Sequence, residues 1–258
     1  MASIRFLYNN LFDLATLAES SAAIGFPVSN LRNPFLSKVW RTLGTTPGTA
    51  TLDIDLAGTP NSTTCIALAG YSWTAAPVTL QLLFDDSSNH GSPEHTETLT
   101  WKANPTANGN NGIIIQNFAS YDEKYLRLNV VNAPGDWDLG RIFIGTYFEP
   151  TYNYDPHPTI DLIDESMRSQ TIGGQRHFDE IDKYRRVSFS CTVVSQAQWE
   201  LFQAMINTVG TSKSLFIAFD YTNEPDEMTI YGKFTRLPSA QGFAYAGYIL
   251  DFEFEEDR

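Results

Sequence analysis

The sequence predicts a mostly β protein of two units: a β-sandwich over residues 1–150, then a β sheet with one packed helix over 151–258. Three observations predict it. Apolar and polar residues alternate with period two through many short stretches, as in half-buried strands. Only the stretch 196–209 repeats cleanly at helical spacing. Residues 150–158 read Pro-Thr-Tyr-Asn-Tyr-Asp-Pro-His-Pro, aperiodic and proline-rich, which marks a domain boundary.

In chain order, Ile4, Phe6 and Tyr8 alternate as a short strand, 12–21 reads as a weak helix or a loop, and Asn33-Pro34 is a turn signal. Trp40 is assigned to the core. Leu52, Ile54 and Leu56 alternate with Asp53 and Asp55, a strand with one wet face. The apolar run 65–69 is a buried strand. Val78, Leu80 and Leu82 alternate with Thr79, Gln81 and Leu83. A polar loop is expected over 85–97, a short strand over 99–102 and a turn cluster over 104–112. Strands at 113–115, 125–131 and 139–148 complete the first unit. Strands spaced by turn signals at roughly 8–15 residues, without a strong helix, argue a sandwich.

Beyond the boundary, 169–178 and the chain from Lys183 read as the two arms of a hairpin. Val187, Phe189, Cys191 and Val193 then alternate with polar residues. Ser195 and Gln198 form an S-x-x-Q capping box. Trp199, Phe202, Met205, Ile206 and Val209 share one helical face, and Gly210 supplies the stop. The continuous apolar run 215–219 predicts a strand covered on both faces. Met228, Ile230 and Phe234 alternate with Thr229, Tyr231, Lys233 and Thr235; Tyr248, Leu250, Phe252 and Phe254 alternate with Ile249, Asp251, Glu253 and Glu255.

Composition narrows the function. With 258 residues and 42% apolar content the chain has enough material for packed cores. The net charge of −13 argues against nucleic-acid or anionic-membrane binding, which needs clustered Lys and Arg, and is consistent with a wall that DNA passes without sticking. Cys65 and Cys191 read as small buried hydrophobes in a reducing compartment, with a disulfide not required. No signal peptide or membrane span is expected, so synthesis is expected in a cytoplasm.

Two groups of residues carry a resemblance. In the first unit these are Phe26-Pro27, Asn30-Leu31, Trp40-Arg41-Thr42, Leu52-Asp53-Ile54-Asp55-Leu56, Ile66-Ala67-Leu68, Tyr125-Leu126-Arg127-Leu128 and Gly140-Arg141-Ile142-Phe143-Ile144-Gly145. They resemble the galactose-binding-like (discoidin-type) jelly roll, in a version similar to structural proteins of tailed-bacteriophage particles. In the second, Gly173-Gly174-Gln175-Arg176, Arg185-Arg186, the Trp199 helix and Thr229-Ile230-Tyr231-Gly232 resemble the ring-forming β-barrel of phage tail-tube and distal-tail proteins. The order of the two units is the reverse of the usual distal-tail order. The resemblance implies a virion structural protein of the tail tip or baseplate, made in the host bacterial cytoplasm. It would partner itself in a ring and other tail proteins, and a host surface glycan is a further candidate partner.

Candidate sites follow. Tyr71, Trp73, Trp101, Trp137 and Tyr121 lie in or near sandwich loops, and the first four are the glycan-contact candidates, since an exposed ring beside polar groups stacks on a sugar. The mixed charges Arg168, Arg176, Asp179, Glu180, Asp182 and Lys183 are the subunit-contact candidates, because interspersed signs set register between copies. Asp251, Glu253 and Glu255 are the lumen-facing candidates of a closed ring, or else line an ordinary wet sheet face. His90 and His95 share a polar loop with Asp85, Asp86 and Glu94, but a zinc site needs ligands on a fixed frame, so no metal and no cofactor is expected. The acid pairs Asp53/Asp55, Asp85/Asp86 and Asp136/Asp138 are close only in sequence, and no nucleophile-elbow, P-loop or dinucleotide fingerprint occurs. The expectation is a protein that is not an enzyme.

Overall fold

The computed structural model describes residues 3–43, 48–56, 58, 62–73, 75–101, 112–133, 136–170, 174–222, 228–243 and 247–257. In chain order the strands are β1 (Arg5–Leu7), β2 (Thr16–Glu19), β3 (Trp40–Arg41), β4 (Gly48–Asp55), β5 (Thr63–Ala69), β6 (Thr79–Asp85), β7 (His95–Thr98), β8 (Ile113–Tyr121), β9 (Tyr125–Ala133), β10 (Asp138–Leu139) and β11 (Arg141–Gly145). They continue as β12 (Thr159–Ile163), β13 (Met167–Gln170), β14 (Arg176–Asp179) and β15 (Tyr184–Val193); helix α1 (Gln196–Val209) follows, then β16 (Leu215–Ala218), β17 (Thr229–Phe234), β18 (Ser239–Phe243) and β19 (Gly247–Glu256).

The first unit is the expected sandwich. A five-stranded antiparallel sheet, β2-β4-β9-β6-β7, faces a three-stranded one, β11-β5-β8. Alternation decides which side chains meet: Leu52, Ile54, Leu80, Leu82, Phe84, Leu126 and Leu128 pack on Ile66, Leu68, Ile114, Ile142 and Ile144. Asp53 and Asp55 take the other face, where Arg127 and Lys124 hold them.

Several local expectations change. The stretch 12–21 is a 3-10 turn, Leu11–Leu14, followed by β2. Strand β7 overlaps the end of the expected polar loop, whereas Leu99 is buried without being in a strand. Lys102 and most of the 104–112 cluster lie outside the described residues. Val78 is exposed and precedes β6.

The second unit is a seven-stranded sheet in the order β1-β16-β17-β19-β15-β12, with β18 also on β19. Its first strand comes from the chain's beginning: β1 pairs antiparallel with β16, so Ile4 and Phe6 enter this core, not that of the sandwich. The sheet curls. Phe148 bridges β1 at Phe6, and Tyr154 bridges β15 at Cys191, so 148–154 reaches from one side of the sheet to the other. Helix α1 lies on the apolar face, with Phe202 against Phe148 at 4.8 Å and Phe6 at 6.0 Å. Trp199 stacks on Tyr248 at 4.6 Å.

Ser195 Oγ accepts from Gln198 N at 3.3 Å, half of the expected capping box. The return bond is replaced: Gln198 is buried, and its Nε2 donates to Thr151 Oγ1. Gly210 ends the helix at φ 59°. At Gly232 the β17 backbone passes so close to β19 that any Cβ would collide with the Glu255 carbonyl.

A third core joins the two units. Strand β16 is buried on both faces, as its apolar run predicts: Leu215 and Ile217 face the sheet core, while Phe216 and Ala218 face away from it. Strand β5 does the same on the sandwich side, turning Cys65, Ala67 and Ala69 outward. These faces meet around Phe143, Phe216 and Tyr231, with Phe216 and Tyr231 4.7 Å apart. Thr229 and Tyr231, expected on a wet face, are therefore buried. Tyr231 Oη donates to the Pro34 carbonyl at 3.0 Å, and Arg5 sits between the rings of Tyr147 and Tyr221 while bonding Glu149 at 2.6 Å. The chain has joined the second core by Phe148, ahead of the stretch 150–158, and Thr151 and Tyr154 are fastened, so that stretch is no free linker. No helix among the described residues is long and apolar enough to cross a membrane.

Candidate functional site

A two-stranded arm leaves the second unit. Strand β12 pairs with the first half of β15, from Thr159↔Ser188 to Ile163↔Tyr184. The same two chain segments then pair again as β13 and β14, from Met167↔Asp179 to Gln170↔Arg176. Three residues separate the paired stretches on one side (164–166) and four on the other (180–183), so the ladder shifts by one residue. This joint is tied. Asp164 Oδ1 accepts from Ser166 N at 2.9 Å, Ser166 Oγ accepts from Ile181 N at 3.0 Å, and Tyr184 Oη donates to Glu165 at 2.9 Å. The Ser166 bonds, then the nearby Lys183, hold the Asp164 carboxyl below its ordinary value. Burial, then Glu165, pushes the Tyr184 phenol up to about 12.

A hairpin is present, but 169–178 and the chain from Lys183 are not its two arms: 169–178 reaches across both strands of the distal pair β13–β14, and the partner of the chain after Lys183 is β12, where no strand was expected. From the last β12–β15 pair the arm runs on for roughly 20 Å, at about 3.3 Å per residue. Every described side chain of β13 and β14 is exposed. Apolar groups are among them: Phe178 is 69% exposed and Met167 66%, and nearer the base Leu162 is 61% exposed. Arg168 and Arg176 lie on the same ribbon, Arg168 5.8 Å from the Phe178 ring centroid. Asp179, Glu180 and Asp182 are exposed, and Lys183 reaches Asp164 at 3.8 Å. The six subunit-contact candidates are thus brought together on one ribbon and its joint.

The glycan-contact candidates are not brought together at the surface. Tyr71, Trp73 and Trp137 are 0–1% exposed. With Trp40 they form one buried cluster, Tyr71 stacked on Trp73 at 5.1 Å and the pairs Trp73–Trp137 at 5.2 Å and Trp40–Trp137 at 4.9 Å meeting edge to face. Their size explains the correction: large rings near strand ends fill the end of a sandwich core, and a buried ring has no face left for a sugar. Gly112 is shaped by them, since a Cβ there would come within 2.7 Å of the Tyr71 ring. Trp101 alone is partly exposed, while packing on the same core. Tyr121 stacks on His95 at 4.2 Å and donates to Glu97 at 2.7 Å.

Asp251, Glu253 and Glu255 alternate with the core residues of β19 and share its outer face, half-buried. Each has a partner: Ser190 Oγ donates to Asp251 at 2.7 Å, Arg236 meets Glu253 at 3.3 Å and Arg186 meets Glu255 at 3.1 Å. The face is a cross-strand lattice of both signs, not a bare acidic wall. Glu256 turns inward to Arg185 at 2.7 Å. The pairing was not legible beforehand, because Arg186 and Arg236 reach these acids only through the sheet.

Between the units a cleft of about 320 Å³ is lined by Asp13, Arg32, Arg141, Lys213 and Tyr231 among others. Arg141 is neutralised there by Asp13 at 2.7 Å and donates to the Leu31 carbonyl at 2.8 Å. Cys65 and Cys191 are free and buried in different cores. Burial pushes the Cys65 thiol up to about 12 and raises Cys191 as well, which makes both poor nucleophiles.

No family model matches the sequence, and no curated protein does. Solved structures show similarity. One is chitosan-binding module 1 of a chitosanase/glucanase from Paenibacillus sp. IK-5, at 19% identity and TM-score 0.41, covering 54% of this chain and all of that one. A second is a Streptococcus pneumoniae fucose-binding module, at 11% identity and TM-score 0.40, covering 54% of this chain and 95% of that one. A third is the family 32 carbohydrate-binding module of C. perfringens NanJ, at 12% identity and TM-score 0.40, covering 56% and 99%.

Proposed function

We propose that this chain is a non-enzymatic assembly protein whose second unit joins copies of itself into a ring, the sandwich being carried on the outside. The observation that carries the reading is the arm: paired backbone, exposed on both faces, with Leu162, Met167 and Phe178 bare to solvent. A two-stranded ribbon is marginal alone, and apolar groups in this number find cover on a neighbour. Alternating charges beside them set the register of that contact. The sequence resemblance to tail-tube and distal-tail proteins supplies the setting, a tail tip or baseplate of a tailed-phage virion, with other tail proteins as further partners. The net charge of −13, rather than the charge-paired outer face of β19, fits a wall that DNA passes without binding.

A second reading has the sandwich recognise a host glycan, with the second unit as its anchor. Trp101 favours it, as the one ring of the four candidates that reaches solvent. The similar chitosan- and fucose-binding modules are described as sugar binders. Solution mass and negative-stain imaging of the purified chain test the first reading: rings or a defined oligomer are expected, and a monomer at all concentrations overturns it. Glycan-array binding lost in Trp101→Ala would establish the second.

A further inference from the structure

We infer that Glu94, His95 and Glu123 form a binding site for a divalent transition metal of the zinc class. Their ligand-type atoms all lie within 4.8 Å of one another. His95 Nε2 and Glu123 Oε1 are 3.3 Å apart. That is the spacing of two ligands on one tetrahedral ion with bonds of about 2.0–2.1 Å.

The frame that the sequence lacked is present. His95 opens β7, where it pairs with Phe84, and Glu94 N donates to the Phe84 carbonyl at 2.9 Å. The His95 ring lies flat on Tyr121, at 4.2 Å and 15°. Tyr121 is in turn fixed by its bond to Glu97. Glu123 comes from the turn between β8 and β9, far along the chain from the other two. The two histidines of this region part ways: His90 is buried near Arg127, Asp53 and Asp85, whereas His95 meets Glu123.

Glu123 is the independent observation. Its side chain is 8% exposed, and among the described residues nothing donates a hydrogen bond to its buried Oε2. A buried carboxylate oxygen without a partner is costly, and a cation at this place removes the cost. The donor set selects the ion. Two carboxylates and an imidazole suit zinc and its neighbours, with a water for the fourth position, whereas calcium takes six to eight oxygens. The bound ion would tie the edge strand β7 to the β8–β9 turn.

Isothermal titration of untagged, chelator-treated protein with zinc chloride tests this. One equivalent per chain is expected, with millimolar calcium chloride failing to compete. Glu123→Gln and His95→Ala should each weaken binding at least about tenfold. Glu94→Gln, altering an exposed ligand, should do the same with an unchanged circular dichroism spectrum, which keeps the test valid if the buried variant misfolds. His157→Ala should bind like the parent. No zinc binding by the parent, or binding by the Glu94 and His95 variants as tight as the parent's, overturns the site.

Discussion

Strands β16 and β12 both carry large apolar side chains, yet only β16 is covered on both faces. Leu215 and Ile217 enter the core of the second unit, and Phe216 and Ala218 meet the sandwich. On β12, Ile160 and Leu162 stay exposed, and the ribbon beyond it adds Met167 and Phe178. Apolar side chains on a strand do not by themselves say what covers them. On β16 the cover is intramolecular and makes one body of two units. On the arm these side chains stay bare to solvent.

The sharpest way to break this contrast is to attack the internal interface. Phe216→Ala should cost about 3–4 kcal/mol, since a buried ring leaves a cavity that the third core cannot collapse into. Denaturant unfolding reads it, and a split of one transition into two would show that Phe216 couples the units. Next comes the buried pair. Arg185→Ala leaves Glu256, at 5% exposure, without its cation and with the bond from the backbone N of residue 185 remaining, and should cost about 3 kcal/mol. Joint replacement of both by apolar residues should recover most of it.

The arm should behave oppositely. Met167→Asp with Phe178→Asp should change unfolding free energy by no more than about 0.5 kcal/mol, while reducing the solution mass to that of a monomer. A large loss of stability would mean that the arm is folded back as core. The smallest effect is at the joint. Asp164 is held below its ordinary 3.8, so its contribution is full above that pH and is lost as pH falls through the lower folded value. Amide exchange near Ser166 should quicken in that acid window, and Asp164→Asn should abolish the pH dependence.

Much of the fold was legible because it rests on local pattern. Helix α1, its Ser195 cap and Gly210 stop, the two-faced burial of β16 and the strand at 187–193 follow from spacing alone. The presence of a hairpin on the arm was legible for the same reason, from a Gly-Gly turn signal among mixed charges, though its pairing was not. Tyr71, Trp73 and Trp137 were not, because an aromatic near a strand end has the same local sequence whether it faces a sugar or a core. Glu123 was missed as a partner of His95, since no spacing links the two.

By itself, then, the chain determined its periodicities: which stretches extend, which one coils, and which runs are too apolar to face water, since these depend on neighbours within a few residues. The tertiary structure alone decided that β1 crosses to the second sheet, that Tyr231 turns into the interface, that Arg186 and Arg236 sit on the β19 acids, and that His95 meets Glu123. Each of these is a meeting of residues distant in sequence, fixed by sheet order and register, which local pattern does not encode.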